Sequence, residues 1–273
     1  MTIQPDTASE ASPGNLMLNQ SATPKRRRGI FLLPNLLTTA ALFSGFYSIV
    51  AAMSGRFETS AVAIFVAIIL DGLDGRVARM TNTESAFGAA YDSLSDMVAF
   101  GLAPALVVYE WSLVSLGKLG WLAAFVFTAS AALRLARFTV QVAVADKRYF
   151  QGLPSPSGAA LLGMLVWLGV DYEVSGKDAA VFVSLGTILT GILMVTNIRY
   201  HSLKDFDLKG KVPFISALVI VLVFVMISID PPLVLFLGFL IYAISGPILT
   251  LFHMRKHREM RNKGVADVLS RKP

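Results

Sequence analysis

Cysteine is absent from all 273 residues, which excludes disulfides, thiolate metal sites and a cysteine nucleophile. Charge is scarce as well. Asp, Glu, Lys and Arg make up 15% of the chain against a hydrophobic share of 55%, and the mean hydropathy is +0.63. Soluble domains carry about 25% charged residues, so the expected fold class is an all-α polytopic membrane protein. Histidine is limited to His201, His253 and His257, each in or beside a basic segment where solvation is expected in place of metal ligation. The net charge of +6 raises nucleic acid as a partner. Against this, the basic residues form short clusters beside hydrophobic runs, the pattern set by membrane orientation and anionic lipid contact. No nucleic acid is expected; membrane lipids are.

What the chain does have is a series of hydrophobic runs near the roughly 20 residues that cross a ~30 Å core. They fall at 30–53, 60–79, 86–114, 119–140, 154–172, 179–197, 212–229 and 232–252, and predict about eight transmembrane helices in one bundle. Residues 1–29 are polar, carry three prolines and end in Lys25, Arg26, Arg27 and Arg28, as a disordered basic cytoplasmic tail would. The run that follows is too long for a signal peptide and has no clear small-residue cleavage site. The expected division is thus a tail at 1–29, a transmembrane domain at 30–252 and a basic C-terminal tail at 253–273. With a cytoplasmic N-terminus, only Arg56, Lys118 and Lys177 of the 24 Lys and Arg fall outside. That bias sets both termini in the cytoplasm and predicts a protein integral to the cell (inner) membrane.

Four aspartates lie inside two of these runs: Asp71 and Asp74 in the second, Asp92 and Asp96 in the third. Spacings of i,i+3 and i,i+4 put each pair on one helix face. Counted from Thr83 in the connecting turn, Asp74 and Asp92 are each nine residues away, and Asp71 and Asp96 twelve and thirteen, so the carboxylates should meet in two layers. At ~1.5 Å per residue, Asp71 lies about 17 Å in from the outer end of its span, which opens the site to the cytosol. A single intramembrane Asp often does no more than satisfy a hydrogen bond. Four converging ones repel unless neutralised, and hard oxygen ligands without His or Cys point to Mg²⁺, Mn²⁺ or Ca²⁺, with room for a pair of ions. Gly72, Gly75 and Gly88 leave side-chain-free surface for a phosphate or a neighbouring helix.

The pattern Asp71-x-x-Asp74-Gly75-x-x-Ala78-Arg79, eight residues, Gly88-x-x-x-Asp92-x-x-x-Asp96 resembles the signature of the CDP-alcohol phosphotransferases at every defined position. The resemblance implies a CDP-activated lipid or alcohol as donor, CMP as leaving group, two divalent cations (Mg²⁺ or Mn²⁺) and a homodimer. It implies Asp71, Asp74 and Asp92 as metal ligands, and Asp96 as both ligand and catalytic base. Gly75, Arg79, Ser85 and Gly88 would face the nucleotide, and Asn35 and Thr38 match the family's Asn-x-x-Thr segment beside cytidine. The chemistry is consistent on its own terms: attack of an alcohol on a pyrophosphate needs charge neutralised, a proton removed and reactants aligned. Direct displacement of CMP, with inversion at phosphorus, is expected.

Three later segments, around Arg134 and Arg137, from Gln151 to Gly158, and from Met194 to Tyr200, look like those of the membrane-embedded phosphatidylserine synthases, as does the stretch from Lys204 to Phe214. That likeness implies CDP-diacylglycerol as donor and L-serine as acceptor. Serine would present a carboxylate, for which an arginine at the depth of the acidic site is the natural anchor. The acceptor candidates are Arg134, Arg137, Gln151, Ser155 and Arg199; the arginines have lipid headgroups as an alternative partner. Two other functions stay open at this point. One is the same chemistry with glycerol 3-phosphate or an inositol phosphate as acceptor. The other is a divalent-cation transporter, since intramembrane carboxylates also mark ion pathways.

Overall fold

A computed structural model describes residues 32–83, 85–141, 149–201 and 214–270. The expected tail at 1–29 and most of the Lys204-to-Phe214 stretch lie outside the described residues.

Helix α1 (Leu32–Met53) turns at Ser54 and Gly55 into α2 (Phe57–Thr81), and the two pack along each other as the most extensive pair among the described residues. The polar turn after α2 is closed by Asn82 in the left-handed region (φ 51°), whose N–H reaches the carbonyls of Ala78 and Arg79. Helix α3 (Ala86–Asp96) continues through a π-helical segment (Met97–Leu102) into α4 (Ala103–Trp111). Within the expected span at 86–114 the helix is therefore not uniform, although Ala86–Trp111 is long and apolar enough to cross a membrane as one stretch. Pro104 has no N–H to give and its ring would press on the carbonyl one turn back. The ladder widens ahead of it, with Ala103 N–H donating to Val98 O and the Thr128 hydroxyl donating to Gly101 O at 3.3 Å.

A short 3-10 turn (Leu113–Leu116) leads to α5 (Lys118–Gln141). Strand β1 (Tyr149–Gln151) precedes α6 (Ser155–Asp171) and α7 (Gly176–Val195). Strand β2 (Arg199–His201) then pairs antiparallel with β1, Gln151 opposite Arg199. Helices α8 (Phe214–Ile229) and α9 (Pro231–Ser270) follow, with α9 packed on α6 and β2. It runs as one helix past the expected boundary at 252.

The bundle is built with small residues inside and large ones outside. Ala51, Ala61, Ala67, Ala99, Ala103 and Ala159 are buried, while Leu36, Phe43, Phe182 and Phe224 are more than half exposed. Lipid tails are as apolar as leucine, so helices in a bilayer associate through close small-residue packing and leave bulky side chains to the lipid. Among the described residues, four helical stretches are long and apolar enough to cross a membrane: Leu33–Met53, Ala86–Trp111, Lys118–Val140 and Pro231–Thr250. The chain is a helical integral membrane protein. Helix α6 has 17 residues and α8 has 16, and α2 carries Asp71 and Asp74 in its C-terminal half; none of these three is long and apolar enough to count as a span by length and hydropathy alone.

One end of the bundle is tied by Ser112, which donates to Gly176 O at 2.6 Å, and by Tyr172, which donates to Asp230 Oδ2 at 2.7 Å. The four aspartates and the β1–β2 pair belong to the other end.

Candidate active site

Asp71 and Asp74 lie in the C-terminal half of α2, and Asp92 and Asp96 in α3, the two helices joined by the turn at 82–85. One carboxylate oxygen from each of Asp71, Asp74 and Asp92 falls in a group whose members all lie within 4.8 Å of one another. Asp96 joins them through Asp71, the two carboxyl groups lying at hydrogen-bonding distance. Asp74 is buried and accepts a hydrogen bond from Thr38 Oγ1 at 2.7 Å. Asp92 keeps Oδ1 buried without a hydrogen-bond partner. An orphaned carboxylate oxygen amid other carboxylates is costly by itself. An all-oxygen donor set of this kind fits a hard divalent cation.

Helix α1 supplies the next layer. Ser95 donates to Thr38 O at 3.2 Å, and Thr39 shares a hydrogen bond of 2.9 Å with Tyr91. The segment from Asn35 to Thr39 is thereby held against both α2 and α3. Asn35 Oδ1 lies 3.4 Å from where a Cβ on Gly88 would sit, and Ser85 Oγ 3.1 Å from it. Ser85 caps α3, accepting from Gly88 N–H at 3.0 Å. Gly75 faces open space and Arg79 is exposed in the last turn of α2. Asn35, Ser85 and Gly88 are thus brought together at the N-terminus of α3, a favourable setting for phosphate, while Thr38 reaches the carboxylates through Asp74.

On the opposite side stands α5. Arg134 is within electrostatic reach of Asp96 and donates from one terminal nitrogen to the buried Ser155 Oγ at 2.7 Å. Its Nε is buried without a hydrogen-bond partner. One turn on, Arg137 donates to Gln151 Oε1 and, at 2.7 Å, to Asn197 Oδ1. Gln151 faces Arg199 across the β1–β2 ladder; the side chain of Arg199 lies outside what the structure describes. Arg134, Arg137, Gln151 and Ser155 thus gather at one corner, with the Arg199 backbone paired to Gln151 at its edge. Gly152 makes the corner possible: at φ +78°, its N–H donates to Ile198 O at 2.8 Å, and a Cβ there would come within 2.1 Å of Met194 O.

The profile of the family described as CDP-alcohol phosphatidyltransferase matches residues 31–198, more than half of the chain. The chain belongs to that family. The match takes in every site residue named above except Arg199. Among curated relatives, the chain is 38% identical over 238 residues to the CDP-diacylglycerol--serine O-phosphatidyltransferase of Helicobacter pylori, covering 86% of this chain and 97% of that protein. It is 36% identical over 183 residues to the Mycobacterium bovis protein of the same name, covering 64% and 63%. It is 31% identical over 178 residues to the archaetidylserine synthase of Methanothermobacter thermautotrophicus, covering 64% and 72%.

Sequence reasoning missed three contributors in this phosphatidyltransferase: Asn197, Tyr91 and Tyr242 of α9, which lies within electrostatic reach of Arg134. Asn197 sits two residues before Arg199 in a segment already singled out, so it was within reach. Tyr242 has no motif around it and no local signal.

Proposed function

We propose that the protein is a phosphatidylserine synthase that transfers the phosphatidyl group of CDP-diacylglycerol to the hydroxyl of L-serine and releases CMP. The observation that carries this reading is the place of Asp96, at hydrogen-bonding distance from Asp71 and within electrostatic range of Arg134. It is supported by the serine-directed names of relatives that align over nearly their whole length.

Asp71, Asp74, Asp92 and Asp96 would hold two divalent cations, Mg²⁺ or Mn²⁺. When bound, these neutralise the charge of the donor pyrophosphate and of the departing CMP. Thr38 orients Asp74, and Asn35, Gly75, Arg79, Ser85 and Gly88 line the side on which the nucleotide lies. Arg134 anchors the serine carboxylate, while Arg137, Gln151, Ser155 and Arg199 wall the acceptor corner. Asp96 takes the proton from the serine hydroxyl as its oxygen bonds to the lipid-bearing phosphorus. The bond from that phosphorus to the bridging oxygen breaks, and CMP leaves with the electron pair. One displacement without a covalent enzyme intermediate inverts the configuration at phosphorus.

In this reading all eight helical rods span the cell membrane. The site and both termini face the cytoplasm, where serine and CDP-lipid meet, and the protein works as a homodimer. The deciding experiment offers the purified protein CDP-diacylglycerol with L-serine, glycerol 3-phosphate or an inositol phosphate and follows CMP release. Serine alone is expected to drive turnover. Serine-independent turnover with glycerol 3-phosphate refutes the assignment.

A further inference from the structure

Arg134 has more to offer than its bond to Ser155. Its Nε is buried without a hydrogen-bond partner, and the guanidinium lies within electrostatic range of Asp96 and Tyr242. A buried charged donor left unsatisfied is expensive, and a ligand anion is the natural acceptor for it.

Tyr242 comes from α9, outside the segment that matches the family, and its placement is set by Tyr200 of β2. Tyr200 is fully buried and donates to Ala243 O at 2.9 Å. Burial, with a smaller contribution from Tyr242, pushes its phenol up to about 12, so it remains a donor at every working pH. Its ring lies 5.6 Å from that of Tyr242 at a tilt of 45°. One turn further along α9, Gly246 presses on the same ring: a Cβ there would come within 2.4 Å of Tyr200 Cζ. A hydrogen bond on one side and a close contact on the other fix both the height and the rotation of α9. Tyr242, within electrostatic range of Arg134, is thereby fixed in place.

We propose that Tyr242 is an acceptor-specificity residue, its hydroxyl and Arg134 Nε together receiving the carboxylate of an amino-acid acceptor, with Tyr200 as the residue that positions it. This rests on the serine reading above and extends it. The segment shared across the family carries the donor chemistry, and α9 completes the choice of acceptor.

The test uses the full-length protein with CDP-diacylglycerol and Mn²⁺, comparing L-serine with serinol, in which a hydroxymethyl group replaces the carboxylate. Tyr242→Phe should raise the serine KM on the order of ten-fold, as expected for one lost hydrogen bond to a charged group. The kcat and the KM for CDP-diacylglycerol should change little, and the preference for serine over serinol should fall by the same factor. Tyr200→Phe should move the serine KM in the same direction. The double variant should be no worse than about the Tyr242→Phe single, since both changes act through one contact. A serine-active wild type whose Tyr242→Phe variant keeps the serine KM and the serinol ratio overturns this proposal alone. So does an equal loss toward both acceptors. A wild type that uses glycerol 3-phosphate and not serine overturns the serine reading as well.

Discussion

Asp92 and Arg134 are the side chains that, among the described residues, keep a buried polar atom without a hydrogen-bond partner, Oδ1 in one and Nε in the other. An unsatisfied buried polar group costs about 1–3 kcal/mol, and a fold retains such a cost where a ligand relieves it. Of the two atoms, one belongs to the acidic cluster and the other to the acceptor corner, and both side chains are electrostatically coupled to Asp96. This separates the roles of the aspartates. Asp96→Asn should lower turnover by at least about a hundred-fold, the usual scale for losing a general base, while CMP binding in the presence of Mn²⁺ measured by calorimetry stays close to that of the wild type. Asp71→Asn should weaken both. Equal loss of CMP binding in the two variants would contradict the division. The four aspartates were readable in the sequence because ionised groups do not belong in a hydrophobic run and their spacings are helical. Tyr242 was not, because it stands 108 positions from Arg134 and only packing brings them together.

Between α3 and α4 the helix widens for one π turn directly after Asp96, and between α5 and α6 the chain folds into β1 and a tight corner. Both irregularities sit at the site, where a regular helix would aim its side chains elsewhere. Pro104 gave a hint of the first, but a proline in a long hydrophobic run is equally compatible with a simple kink. The second hangs on Gly152, whose left-handed backbone and contact with Met194 O leave no space for a side chain. Gly152→Ala should cost more than about 1 kcal/mol, the scale of such backbone strain, seen as a lower melting temperature in detergent. Because Gln151 and Ser155 flank it, the serine KM should rise as well. A variant with wild-type melting and wild-type serine KM would show that the corner does not position the acceptor residues.

For the molecule as a whole, the turns at Ser54 and Ser175 belong to the end opposite the aspartates, and Ala86 opens α3 on the site end. The absence of native cysteine makes the sidedness easy to check, since any introduced thiol is the only one. In intact cells Ser54→Cys and Ser175→Cys should react with a membrane-impermeant maleimide, and Ala86→Cys only after permeabilisation. Labelling of Ala86→Cys from outside would invert the orientation argued from the basic residues.

By itself, the sequence determined the solvent, the helical class, the acidic site and the family, because each is written in composition or in short-range spacing: few charges, runs of membrane length, and aspartates at helical intervals. Which residues from distant segments meet was decided only by the tertiary structure. The junction of Thr38 with Asp74, of Arg134 with Ser155, and of Tyr200 with α9 depends on how small-residue faces pack in three dimensions. Sequence periodicity identifies such a face without naming its partner.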